Sequence, residues 1–162
     1  MIRIGFGKDV HRLGEGRPLI LGGVAVPSKK GLLGHSDADV VCHAIMDALL
    51  GAAALGDIGT HFPDSDDKYK NVSSLILLEN VRKLIESQDW EIGNIDCVVI
   101  IQEPKIAKYI MDMRKNIAHV LQIDLSAVSI KATTTEGMGF EGVGNGVTAE
   151  SAALLQKKDV WK

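Results

Sequence analysis

The stretch HSDADVVCHAIMDALLGAAALG, residues 35–56, reads as a helix. Ser36 is a good N-cap, Asp39 follows three residues on, and Gly56 is a natural stop at the far end. The segment is rich in Val, Ala, Ile and Leu. Yet His43 lies inside it, with Asp39 and Asp47 four residues to either side. On a helix these three share one face. A lone His in such a helix is ordinarily a satisfied core residue. A stripe of carboxylate, imidazole and carboxylate asks for more, because buried polar groups are costly without partners. A metal-bound histidine usually donates its other ring N–H to a carboxylate. Asp39 or Asp47 is therefore expected as the outer partner of a His43 ligand.

Working outward, MIRIGFGKD alternates apolar and polar residues and reads as a strand over Ile2–Asp9. PLILGGVAVP, residues 18–27, is apolar on both sides of Gly22-Gly23 and reads as a hairpin or bent strand. After the helix comes a polar loop, DIGTHFPDSDDKYKN, then an amphipathic helix over Ser73–Ser87. NIDCVVIIQ is a buried strand by its β-branched run. Pro104 can open a third helix, residues 104–121. AVSIKATTT is another strand, followed by the glycine-rich loop EGMGFEGVGNG. The final VTAESAALL fits helix or strand on its own pattern. The order is mixed α/β, with no linker or repeat, and 1–162 reads as one domain.

Composition removes several function classes. The chain is 46% hydrophobic, enough for a core, with a net charge of −3. No basic run or aromatic-basic interleaving suggests a nucleic-acid face. No apolar run reaches the ~18 residues of a membrane span, and no signal peptide precedes the first strand. Cys42 and Cys97 form neither a metal pattern nor a disulfide framework. A cytoplasmic location is expected.

Asp9 and His11 are two residues apart on the first strand, so they aim to one side. With His43 they make an N/N/O set with an open fourth position, the pattern of a catalytic zinc site. The ordinary alternative is that polar residues merely end a strand. Asp57, Asp64, Asp66 and Asp67 crowd one loop, which a solvated turn would also explain. KATTTEG places Thr133, Thr134, Thr135 and Glu136 at a strand end. Threonine suits strands, but hydroxyls and N–H groups before glycines also make a phosphate cradle. Lys105, in the first turn of the expected third helix, opposes the macrodipole unless an anion sits there.

DVHR, KGLLGHSDADVVCHAIMDALLGAAALGDIGTHFPDSD, QEPK and KATTTEGMGF, in this order over nearly the whole chain, resemble the 2-C-methyl-D-erythritol 2,4-cyclodiphosphate synthase family of the non-mevalonate isoprenoid pathway. The resemblance implies an α+β, ferredoxin-like sandwich: a four-stranded sheet with helices on one face, plus a small hairpin. It also implies a homotrimer with active sites between subunits, and makes the last segment a strand. The implied reaction is intramolecular: a 2-phosphate attacks the β-phosphorus of the same substrate's diphosphate, and CMP leaves. Asp9, His11 and His43 match the zinc ligands. His35 and Thr134 match residues that stabilise the transition state. Val10 flanks the ligand pair at the substrate, and Ser36 matches a phosphate contact. Asp57, Ile58 and Gly59 match substrate contacts. Phe62, Pro63, Asp64, Ser65 and Asp66 match the methylerythritol pocket. Ile101, Gln102, Glu103, Pro104, Lys105, Ile106 and Ala107 match cytidine and phosphate contacts. Thr133, Thr135 and Glu136 complete these, with Glu136 at a second divalent ion, Mg2+ or Mn2+. Phe140 belongs to the same loop system.

Two positions depart from the family pattern. Lys8 replaces a usual aromatic; in an extended strand it points away from Asp9. Val143 stands where many members carry an Arg that can hold an isoprenoid diphosphate at the trimer axis. Weak or absent binding of such a ligand is expected. A zinc-dependent phosphohydrolase and a non-catalytic ferredoxin-like binding module compete with the synthase reading, since fold alone implies no function.

Overall fold

The computed structural model describes residues 1–158; Trp161 lies outside them. Strand β1 (Ile2–Gly14) is followed by the hairpin β2 (Leu19–Leu21) and β3 (Val24–Val26), then by the short β4 (Gly31–Leu32). Helix α1 is Val40–Ala52, α2 Ile58–His61 and α3 Ser74–Ser87. Strand β5 (Trp90–Ile100) precedes α4 (Ile110–Leu121), β6 (Val128–Thr133), the short α5 (Gly139–Gly142) and β7 (Gly146–Lys157). The sheet order is β4-β1-β7-β5-β6, with β5 and β6 parallel and the other neighbours antiparallel. The sheet thus has five strands, not the expected four. The first strand runs on past Asp9 to Gly14, and its extension pairs with Gly31–Leu32 at one edge.

Helix α1 packs on β1 and β7, α3 on α1 and β5, and α4 on α3 and β6. Every residue of α1 except Asp47 and Gly51 is buried, as befits a helix between a sheet and a second helix. Two glycines of β1 set how close α1 comes. A Cβ at Gly5 would lie 1.8 Å from the Ala48 carbonyl oxygen, and one at Gly7 would lie 2.1 Å from that of Ala44. Glycine inside a strand marks such a backbone approach. Residues alternate across a strand, so Gly5, Gly7, Asp9 and His11 share the helix side. Ile4, Phe6 and Lys8 lie on the opposite, exposed side. Lys8 pairs there with Glu150 at 3.0 Å, away from Asp9.

Three local expectations need correction. The N-cap of α1 is Asp39, not Ser36. Asp39 accepts the N–H groups of Val41 and Cys42, and those of Gly22 and Gly23 in the hairpin turn. One buried carboxylate therefore ties the hairpin to the helix start. The helix stops before Gly56, because Ala54 already takes the left-handed conformation at φ 60°. Pro104 and Lys105 stand in a loop rather than in a first helical turn. Ile106, 2% exposed, anchors that loop in the core, and α4 begins only after a 3-10 turn at Ala107–Tyr109. The last segment is strand β7, paired on both sides.

The glycine contacts predict that Gly5→Ala lowers the free energy of urea unfolding by at least about 1–3 kcal/mol, the usual range for overpacking. An unchanged midpoint would mean that α1 does not sit against the β1 backbone.

Candidate metal centre and substrate cavity

Beyond the glycines, β1 presents Asp9 and His11 to the same side, and α1 carries His43 one residue before the Ala44 that touches Gly7. Asp9 Oδ2 lies 2.9 Å from His11 Nε2 and 3.1 Å from His43 Nδ1. The two ring nitrogens are 3.2 Å apart. Each ring is held from behind. His11 Nδ1 donates to the Leu33 carbonyl at 2.8 Å, so in the neutral ring the Nε2 lone pair faces inward. His43 Nε2 lies 3.0 Å from Ser74 Oγ and 3.2 Å from Ser36 Oγ.

Burial opposes ionisation of Asp9, but hydrogen bonds and charge from His11 and His43 outweigh it and hold the carboxyl far below its usual range. Burial would lower the His11 pKa; the hydrogen bond and charge of Asp9 win and raise it. One anion and two imidazoles thus compete for protons at one point. A divalent cation satisfies all three, and an N/N/O set within 4.8 Å fits such an ion.

Neither Asp39 nor Asp47 is the outer partner of His43. Asp39 is occupied by the helix cap and the hairpin N–H groups. Asp47 accepts the Ile58 N–H at 2.8 Å and fixes the start of α2; burial and the negative charges of Asp57 and Asp9 raise its pKa. The residues behind His43 are Ser74 and, behind it, Asp37, which takes the Ser74 hydroxyl proton. No periodicity marks this pairing, since the two lie on separate elements. Arg17 is a second omission: its guanidinium donates to the Gly34 and Ser36 carbonyls and clamps the loop carrying His35.

A cavity of about 430 Å³ opens over the cluster. Asp9, His11 and His43 line it with His35, Ser36, Ile58, Gly59, Phe62, Pro63 and Asp64. His35 Nε2 donates to the Asp66 carbonyl at 3.2 Å. Asp57 is outside this lining and caps α2 through Thr60. Asp66 caps the turn Asp67–Tyr69 and pairs with Lys68 at 2.8 Å. Ser65 is exposed between these segments. A separate cavity of about 300 Å³ is lined by Ile101, Pro104, Lys105, Ile106, Ala107, Thr133, Thr134 and Glu136. There Thr134 Oγ1 donates to Glu136 at 3.1 Å, and Glu136 holds a left-handed backbone at φ 54°. Thr135 closes the loop by donating to the Met138 carbonyl. Gln102 and Glu103 line a third hollow with Lys29, Lys30 and Val143, so that hollow has cations although the glycine-rich loop has none. Phe140 and Val10 line a fourth beside His11. In the sheet, Thr133 is level with Ile100, Thr148 and Val10 in turn. Three strand spacings, roughly 14 Å, therefore separate the threonine end from the strand of Asp9 and His11.

Residues 2–156 match the model of the YgbB family. The chain is 57% identical over 157 residues to a 2-C-methyl-D-erythritol 2,4-cyclodiphosphate synthase of Desulfitobacterium hafniense, covering 97% of this chain and 99% of that protein. It superposes on the bifunctional IspDF of Campylobacter jejuni with a TM-score of 0.95 and 44% identity, covering 98% of this chain but 43% of that one. Against the CDP complex of Plasmodium falciparum IspF the TM-score is 0.86, with 39% identity and coverage of 98% and 97%.

His43→Ala is expected to lower divalent-metal affinity at least about 100-fold, more than loss of an outer partner costs, while far-UV circular dichroism stays native. Elemental analysis after metal loading and desalting checks this. Undiminished stoichiometric metal would remove His43 from the ligand set.

Proposed function

This chain belongs to the YgbB family, and from that membership we propose how its two cavities close a cyclic diphosphate. The reaction converts 4-diphosphocytidyl-2-C-methyl-D-erythritol 2-phosphate into 2-C-methyl-D-erythritol 2,4-cyclodiphosphate and CMP, in the non-mevalonate isoprenoid pathway. An oxygen of the 2-phosphate forms a bond to the β-phosphorus. The bond from that phosphorus to the bridging oxygen breaks, and CMP leaves with the electron pair. No water is consumed. The observation that carries this reading is the convergence of Asp9, His11 and His43 on one point beneath a cavity walled by His35, Ser36 and residues of the 58–64 stretch.

The N/N/O donor set suits zinc, which when bound supplies Lewis acidity toward a phosphate oxygen. The remaining tasks fall to the chain. Ser36 Oγ accepts the Ala38 N–H at 3.2 Å, which leaves its own proton for a phosphate oxygen in the cavity. His35 and Thr134 stabilise charge that develops at the phosphorus. Phe62, Pro63 and Asp64 seat the methylerythritol unit, with Asp64 on its hydroxyls. Ile101 to Ala107 hold the cytidine and its phosphates, with Lys105 as the cation. Glu136 is the carboxylate in the lining of the second cavity and, with substrate phosphates, suits Mg2+ or Mn2+. No general base is required, because the nucleophile is already an anion near neutral pH. Positioning and electrostatics supply most of the catalysis.

One protomer holds the metal cluster and the threonine end in separate cavities. A homotrimer that joins them between neighbours fits this separation. The outer face of β1 supports it, with Ile2, Ile4 and Phe6 all more than 60% exposed. The ferredoxin-like description, a single domain over 1–162 and a cytoplasmic location complete the reading. Among the described residues both cysteines are free and no helix is long and apolar enough to cross a membrane.

Turnover in 18O-labelled water, followed by phosphorus NMR and mass spectrometry, is expected to yield CMP and an unlabelled cyclic diphosphate. Labelled phosphate in the product would instead indicate a phosphohydrolase, and no turnover would indicate a binding module. Thr134→Val is expected to lower kcat by about 10²–10³, the usual cost of one transition-state donor, with a smaller change in KM. An unchanged kcat would reduce the threonine run to strand structure.

A further inference from the structure

His43 meets the cluster through Nδ1 and is held from behind through Nε2. In the neutral ring one nitrogen carries the proton and the other the lone pair. Which is which decides whether His43 can serve a cation. Two groups behind the ring make that choice. Ser74 Oγ stands 3.0 Å from His43 Nε2 and gives its own proton to Asp37 Oδ1. The other carboxylate oxygen accepts the Ser74 backbone N–H at 3.0 Å. A carboxylate only accepts, so the Ser74 hydroxyl must donate to Asp37 and is left to accept from the ring. With the proton on Nε2, the contacts to Ser74 and Ser36 are both satisfied. With it on Nδ1, the ring would donate to Asp9 Oδ2 at 3.1 Å and accept from Ser36, but the Ser74 oxygen would face a lone pair at 3.0 Å, so the relay opposes the pull of Asp9.

We infer that Asp37, acting through Ser74, is a positioning residue that holds His43 as its Nε2–H tautomer and turns the Nδ1 lone pair toward Asp9 and His11. The inference rests on the reading of Asp9, His11 and His43 as metal ligands. The same proton placement sets that lone pair 3.1 Å from Asp9 Oδ2 and 3.2 Å from His11 Nε2. This crowding of acceptors is favourable only with a cation or protons among them. His11 is oriented by a backbone carbonyl, which no substitution can recharge. His43 is oriented by a side-chain relay, which substitutions can. The relay also joins the loop before α1 to the first residue of α3; that loop and Leu77 of α3 line the cavity.

The test reads the imidazole nitrogens directly. Long-range 1H–15N spectra of the metal-free protein, at a pH above the imidazole titrations, report the His43 tautomer. Competition against a chromophoric chelator reports zinc affinity without substrate. The native protein is expected to show a larger Nε2–H fraction than either variant below. Asp37→Ala removes the acceptor of the Ser74 hydroxyl, together with that of the Asp39 and Ser74 N–H groups. The hydroxyl then donates to His43, which shifts to Nδ1–H. Ser74→Ala keeps the backbone bond to Asp37 and loses only the relay, giving a tautomer mixture. Both variants are expected to bind zinc about 10–100-fold more weakly, the usual cost of losing an outer partner, and Ser74→Thr is expected to restore it. A folded Ser74→Ala protein with native tautomer and native zinc affinity would overturn the inference. Native protein that takes up no zinc would overturn the ligand reading itself, while the metal-free spectra would still decide the relay.

Discussion

The architecture depends on the contact of the α1 backbone with Gly5 and Gly7 of β1. Any side chain at either position would overlap a helix carbonyl. Because a strand alternates, the same spacing that turns the two glycines toward the helix also turns Asp9 and His11 toward it. Because α1 is drawn in so far, His43 reaches them. The ligand cluster is thus a consequence of a packing decision made a few residues earlier on the strand. Asp39 fixes the same helix from its N-terminus, binding the hairpin turn and the first helical turn with one carboxylate.

Polar groups this close to an apolar core need compensation at every atom. The cluster meets this by division. Asp9 faces two imidazoles, each imidazole has a partner behind it, and Arg17 holds the carbonyls of the loop between. Asp47, one turn along α1, serves another purpose and anchors the loop that leads to Phe62 and Asp64. What the protomer does not do is bring the threonine end of β6 to the cluster, because two strands stand between them. The metal cluster and the threonine end therefore lie in separate cavities of the chain.

Much of this was legible in local pattern. The hairpin at Gly22-Gly23, helix α3 and the buried strand β5 follow from turn residues and periodicity within each segment. The grouping of Asp9, His11 and His43 follows from strand alternation and from one costly polar residue in an apolar helix. The role of Asp39 and Asp47 does not follow. Spacing of i±4 says that they share a face with His43, not which backbone N–H groups arrive from elsewhere. Their partners come from the hairpin and from the loop after α1. Ser74 and Asp37 were hidden for the same reason. So was β4, two residues long, whose pairing depends on how far β1 extends rather than on its own composition. The last strand, ambiguous in isolation, is decided by strands on both sides of it.

The proposed chemistry turns on one divalent ion bound by Asp9 Oδ2, His11 Nε2 and His43 Nδ1. Anomalous diffraction from zinc-loaded crystals, with data on both sides of the zinc edge, tests it most directly. The account predicts one peak per protomer among those three atoms, with an open position toward the cavity of His35 and Ser36. A peak at other residues, binding through the opposite ring nitrogens, or no peak at this cluster in zinc-loaded protein would contradict it.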